Sequence, residues 1–172
     1  RSDLATVRLS DHIDFQQSTA QHEIDVSHIE FVGNVHAENR TLNDEAQITA
    51  VDSIEGRQLT IDKTTENILV TGPGWVKSLR HGQGNLASLT RATAGERVDA
   101  GFSLILLKVE FQKTLSGNVK RREFHFEDNV RAMYGPVPNW HAEVNPDRVG
   151  GLGQDEILLN CQRLSLYDMG QD

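Results

Sequence analysis

Phe31-Val32-Gly33-Asn34-Val35-His36-Ala37 and, 95 residues further on, Phe126-Glu127-Asp128-Asn129-Val130-Arg131-Ala132 spell one pattern, Phe-x-(Gly/Asp)-Asn-Val-x-Ala. An apolar residue stands two places ahead of each copy, Ile29 and Phe124. Successive side chains on a strand point to opposite faces. Ile29, Phe31, Val35 and Ala37 therefore line one face of a strand, and Phe124, Phe126, Val130 and Ala132 line one face of another. The other face of each is polar.

The downstream halves correspond as well. Asp44-Glu45-Ala46-Gln47-Ile48 has a counterpart in Asp155-Glu156-Ile157-Leu158-Leu159, and Leu59-Thr60-Ile61 has one in Leu164-Ser165-Leu166. The unit is strand, turn, strand, turn, strand. A long period of short strands separated by turn residues predicts an all-β fold, a curled antiparallel sheet built from two related repeats.

The remaining sequence agrees with that rhythm. Strand-like segments run over Leu4–Leu9, His28–Ala37, Ala46–Val51, Gln58–Asp62, Asn67–Thr71, Trp75–Leu79, Phe102–Gln112, Lys120–Phe126, Val130–Met133, His141–Val144, Glu156–Cys161 and Arg163–Tyr167. Turn chemistry separates them at Glu55-Gly56, Thr71-Gly72-Pro73-Gly74, Ser116-Gly117-Asn118 and Asn145-Pro146-Asp147. With 172 residues the chain is read as one domain, 1–172, with repeat one over 27–80, a linker loop over 81–101 and repeat two over 102–168. Repeat two carries its own insertion, from Tyr134 to Gly153.

A formal charge of −8 argues against non-specific nucleic-acid binding, which needs clustered cations to displace counterions. Lys120-Arg121-Arg122 is the one basic cluster, and it reads as a solvated strand end. The single cysteine, Cys161, forms no internal disulfide and reads as a small buried hydrophobe. No stretch approaches the roughly 18 apolar residues of a membrane span. Leu104-Ile105-Leu106-Leu107, the longest aliphatic run, reads as a buried strand. The opening Arg1-Ser2-Asp3 runs almost at once into a strand, as in a mature or excised piece of a longer protein.

Catalytic patterns are not found. The seven histidines lack a metal-ligand spacing, no Gly-x-Ser-x-Gly elbow occurs, and Gly82-Gln83-Gly84 lacks the third glycine of a dinucleotide loop. Asp44-Glu45 and Asp155-Glu156 recur at equivalent positions before a strand, which a repeated turn explains. Trp75 and Trp140 follow turn residues, where they either seal the core or stack on a ligand. The expectation is therefore no catalytic residues, no metal and no cofactor.

The segment Ile29 to Ala37 followed by Glu45-Ala46-Gln47-Ile48-Thr49-Ala50 resembles the repeat of the organic-solvent-tolerance (OstA-like, LptA-like) family, which includes periplasmic lipopolysaccharide-transport proteins. The resemblance implies a β-taco or β-jellyroll whose apolar inner face holds the acyl chains of a lipid or lipopolysaccharide-like amphiphile. It also implies end strands that pair with other β-modules, and a place in the periplasm of a bacterial envelope. The chain departs from the family where the usual closing Ala-Asp stands as Ala50-Val51-Asp52 and Asn160-Cys161-Gln162.

On this reading the ligand-facing set is Ile29, Phe31, Val35, Ile48, Leu59, Ile61, Phe124, Phe126, Val130, Leu159, Leu164 and Leu166. Two readings of the set stand side by side: a wide trough that acyl chains fill, or a trough collapsed into ordinary core. The function expected is a non-enzymatic lipid-binding or lipid-bridging module. The alternative is a structural β-module that pairs with partners through its edge strands.

Overall fold

The computed structural model describes residues 1–9, 26–82, 103–145, 147, 150–153 and 155–167. Among the described residues there is no helix, and nine strands form a single sheet in which every pairing is antiparallel. They are β1 (Leu4–Leu9), β2 (Val26–Leu42), β3 (Ile48–Asp62), β4 (Asn67–Thr71), β5 (Gly74–Gly82), β6 (Ser103–Phe111), β7 (Thr114–Asn118), β8 (Glu123–Val137) and β9 (Ile157–Tyr167). The linker expected over 81–101 falls mostly outside the described residues, although His81 and Gly82 still belong to β5.

The topology is a meander with two of its long strands interrupted. One flank of β3 pairs with β4 through residues 58–62 and with β5 through residues 50–55. β7 and β6 in turn pair with β4 and β5, and β8 then spans both. β4 with β5, and β6 with β7, thus act as one strand each, broken at Gly72-Pro73 and at Gln112-Lys113. Pro73 has no N–H to give a ladder.

These breaks align with irregularities in the neighbouring strands. In β2 the register slips between Val32, opposite Gln58, and Val35, opposite Gly56. In β8 it slips between Glu127, opposite Arg163, and Val130, opposite Cys161. A line therefore crosses the sheet through residues 33–34, 57, 72–73, 112–113, 128–129 and 162. We call it the crease. It divides the sheet into a short limb (26–32, 58–62, 67–71, 114–118, 123–127, 163–167) and a long limb (35–42, 48–56, 74–82, 103–111, 130–137, 157–161).

The repeated motif supplies the bulges on this line in β2 and β8. Gly33 and Asn34 have φ of 78° and 42°, and Asp128 and Asn129 have φ of 67° and 49°. Two consecutive left-handed residues place an extra residue in the strand and bend it. Asparagine, aspartate and glycine are the residues that tolerate that conformation best. Phe31 and Val35, and likewise Phe126 and Val130, stand an even four positions apart and still share the core face on either side of the bulge.

Several expected boundaries dissolve in this geometry. Glu55-Gly56 is no turn but the middle of β3, so the segments expected at 46–51 and 58–62 are one strand. Gly56 sits there because a Cβ would fall 2.5 Å from Val70 Cγ1 and 2.9 Å from the Thr71 carbonyl oxygen. Segments expected at 120–126 and 130–133 merge into β8, and those at 156–161 and 163–167 into β9. Ser116-Gly117-Asn118 ends β7 rather than forming a turn. His141–Val144, expected as a strand, is a non-strand segment that packs back on the sheet.

The core has two parts on opposite faces. The first consists of Leu59, Val70, Leu115 and Phe126 from the short limb and Val35, Val109, Phe111 and Val130 from the long limb, all at most 3% exposed. Phe111 and Phe126 meet across the crease with ring centroids 5.9 Å apart. The second consists of Val51, Leu79, Leu104, Leu106 and Val137 of the long limb, covered by Val144 with Ile48, Trp140 and Ala142. β6 serves both: Leu104 and Leu106 face the second cluster, while Leu107, Val109 and Phe111 face the first. A strand covered on both faces reads as a continuous apolar run, which accounts for Leu104-Ile105-Leu106-Leu107.

Candidate functional site: the apolar face around the crease

Of the residues expected to face a ligand, Val35, Leu59, Phe126 and Val130 are buried in the first cluster. Phe31, Ile61, Phe124, Leu164 and Leu166 pack against that cluster but remain half-buried. Ile29 lies opposite Val7 and Ile61 in the same sheet and is also half-buried. Leu159 of β9, opposite Ala132 of β8, is 44% exposed. Ile48 departs from the set. The register of β2 on β3 shifts between Thr41 and Leu42, and Ile48 packs with the second cluster on the opposite face.

The face thus has a closed floor and a half-open rim. A side chain on an uncovered sheet does not reach 0% exposure, as Val70 does, or 2%, as Leu115 does. Such burial requires a second layer. Half-buried rim residues come from both limbs, Phe31, Ile61, Ile68, Phe124, Leu164 and Leu166 from the short limb and smaller or aliphatic ones such as Ile54, Val76 and Leu107 from the long. Fully burying each would contribute about 1.5–3 kcal/mol, so part of that gain is unused in the isolated chain. Sequence reasoning missed Ile68, Val70, Val109, Phe111 and Leu115 as members of this face. Their signal was legible, since Ile68 and Val70 alternate in the Asn67–Thr71 segment and Leu107, Val109 and Phe111 alternate in β6.

Outside the two apolar clusters, several polar side chains are locally paired. His36 Nδ1 lies 3.7 Å from Glu55 Oε2, and its ring meets Trp75 edge-on at 5.9 Å. Trp75 also lies under the ammonium groups of Lys77 and Lys108, each 5.8 Å from its ring centroid. Lys108 Nζ reaches Glu110 at 3.0 Å and Glu143 at 3.7 Å, which ties the covering segment to the sheet. Trp140 meets His81 edge-on at 5.2 Å and lies over the second cluster, the sealing role rather than an open platform. Cys161 packs half-buried against the first cluster.

Several carboxylates are held charged by local donors. Arg40 donates to Glu38 at 2.7 Å and lowers its pKa. The backbone N–H of Thr65 donates to Asp62 at 2.9 Å and does the same for that group, closing the β3–β4 turn. Glu127 is lowered by Lys113, whose ammonium stands 3.3 Å away. These are turn and strand contacts, not a reaction centre. Asp44 and Glu45 lie exposed in the β2–β3 turn, and Asp155 and Glu156 precede β9, so both acidic pairs sit at a strand entry. Among the described residues, no three His, Cys, Asp or Glu side chains converge as a metal site would require, and no helix is long and apolar enough to cross a membrane.

No family model matches the chain, and neither does any curated protein or solved structure.

Proposed function

We propose that the protein is a non-enzymatic lipid-binding or lipid-bridging module of a bacterial envelope, with acyl chains laid along the apolar face around the crease. The observation that carries this reading is the half-buried rim. Phe31, Ile61, Ile68, Phe124, Leu164 and Leu166 adjoin a closed floor built from both limbs, so an acyl chain would find a continuous apolar surface. The resemblance of the Gly-Asn-Val repeat to the OstA-like family supports the same reading and a periplasmic setting. In it the limbs fold toward each other as a β-taco, and the rim takes up a lipid or lipopolysaccharide-like amphiphile.

The test is native mass spectrometry of the protein purified from a bacterial envelope fraction. Co-purified lipid mass on the 19.2 kDa chain is the expected result. A lipid-free chain that takes up no amphiphile on incubation would remove the reading.

A second reading, a scaffold that pairs with other β-modules, rests on β9. Among the described residues it pairs with β8 alone, leaving its outer edge open, and Ile157 and Tyr167 are 40% and 59% exposed. An unpaired edge of that length is a template for another strand. Sedimentation showing a monomer at high concentration would eliminate this reading.

A further inference from the structure

On the face of the short limb opposite the first cluster lies a depression of about 320 Å³. Its walls are Asn67 and Leu69 of β4, Ser116 and Asn118 of β7, Glu123 and His125 of β8, and Arg121 of the turn between β7 and β8. The register explains the grouping. Leu69, Ser116 and His125 form one cross-strand row, and Asn67, Asn118 and Glu123 form the next. Phe124 and Phe126 point the other way, into the first cluster.

The depression is held rigid from below. Asn118 Nδ2 donates to the Thr65 carbonyl and to Asn67 Oδ1, each at 2.8 Å, while its Oδ1 accepts from the Arg121 backbone N–H at 2.9 Å. The Val119 N–H donates to the Glu66 carbonyl at 2.9 Å. Two turns from distant parts of the chain are thereby locked into one platform. Glu123 is engaged by His125 Nε2 at 3.0 Å, and His125 Nδ1 meets Ser165 Oγ at 2.9 Å. Arg121 lines the depression, and among the described residues no carboxylate pairs with its side chain, in a chain of charge −8.

We infer that this depression binds a single sugar ring carrying an anionic group. Its volume is at the lower end of ligand pockets, enough for one ring rather than a chain. Leu69, 44% exposed, offers an apolar patch for the C–H face of a pyranose. Asn67, Ser116 and Glu123 offer the mixed donors and acceptors that hydroxyl groups require. Arg121 offers a planar, permanently charged fork for a carboxylate or phosphate. The inference does not depend on the lipid reading, since the depression is on the opposite face of the sheet from the acyl surface.

The test is a titration of the intact protein with glucuronate, glucose 6-phosphate, glucose and inorganic phosphate, followed by backbone amide NMR. The expected result is saturable shifts at Leu69, Ser116, Gly117 and Arg121 with either anionic sugar, weaker binding of glucose, and weaker binding of phosphate alone. Arg121→Gln, which keeps the backbone N–H to Asn118, should weaken anionic-sugar binding on the order of tenfold, the size of one charge-assisted contact. It should leave the spectrum of the ligand-free protein otherwise unchanged. Absence of shifts with either anionic sugar, equal binding of inorganic phosphate, or an unaltered affinity in Arg121→Gln would each overturn the inference.

Discussion

The bulge at Gly33-Asn34 and the bulge at Asp128-Asn129 arise from the same motif, yet they occupy different surroundings, and the one residue that differs at the bend shows why. Both accept hydrogen bonds from an adjoining segment. The Asp3 N–H lies 3.0 Å from the Val32 carbonyl and 3.1 Å from that of Gly33, while Gln112 donates to Asp128 at 2.8 Å and Lys113 to Glu127 at 3.1 Å. At the first bulge the Asp3 carboxyl occupies the space a Cβ on Gly33 would need. At the second, the Asp128 side chain is exposed. Glycine at the first site leaves room for the Asp3 side chain against the bend, whereas at the second a residue that tolerates φ above zero suffices.

Burial separates the copies more strongly than conformation does. Phe126 is 3% exposed in the first cluster, while Phe31, at the same motif position, is half-buried at the rim. Phe126→Ala should cost about 3–5 kcal/mol in denaturant unfolding, and Phe31→Ala about 1–2 kcal/mol. Equal losses would mean that the rim is as closed as the floor, and would weaken the lipid reading.

Backbone strain gives the next contrast. Gly33→Ala should lose about 1–2 kcal/mol, from the left-handed conformation alone, with a further loss from displacing Asp3. Asp128→Gly should change stability by less than about 1 kcal/mol, since relief of strain is offset by a more flexible unfolded chain. Urea midpoints of the two variants measure the difference. A comparable destabilisation in both would refute the crowding account.

The smallest effect concerns pH. Glu127 has Lys113 as a partner, whereas the matching position of the first copy is Val32. The pKa of Glu127 is lowered from the ordinary 4.5, first by the hydrogen bond from Lys113. Its contribution is therefore present above the unfolded-state value and lost as pH falls through the folded one. Glu127→Gln should lower the unfolding midpoint slightly at neutral pH, with the gap to the parent protein closing on acidification below 4.5. A gap that persists in acid would assign the effect to something other than this ion pair.

Much of the fold was legible because alternation reports which side of a strand is covered. Asn67–Thr71 matches β4 residue for residue, and Leu4–Leu9 matches β1. The breaks were misread for a physical reason. Glycine and asparagine signal positive φ or close approach, but they do not say whether the chain reverses, as at a turn, or only bends, as at Gly56 and Asp128-Asn129. His141–Val144 shows the converse. Ala142 and Val144 are covered while His141 and Glu143 are exposed, so the alternation was real, but it reports one-sided packing on the second cluster rather than pairing. Nor could sequence reveal the depression beside Arg121, because its walls depend on the register of β4, β7 and β8.

The interrupted strands also tie the strand pairings to one another. The links between β3 and β4 and between β7 and β8 are four residues each, 63–66 and 119–122, whereas twenty residues separate Gly82 from Ser103. A longer link costs more chain entropy to close than a short one. Once β5 has met β6, however, only Gly72-Pro73 and Gln112-Lys113 stand between that pair and the juncture of β4 with β7. One closure thus serves two strand pairings, and the crease that bends the sheet is also where the β5–β6 pair joins the β4–β7 pair.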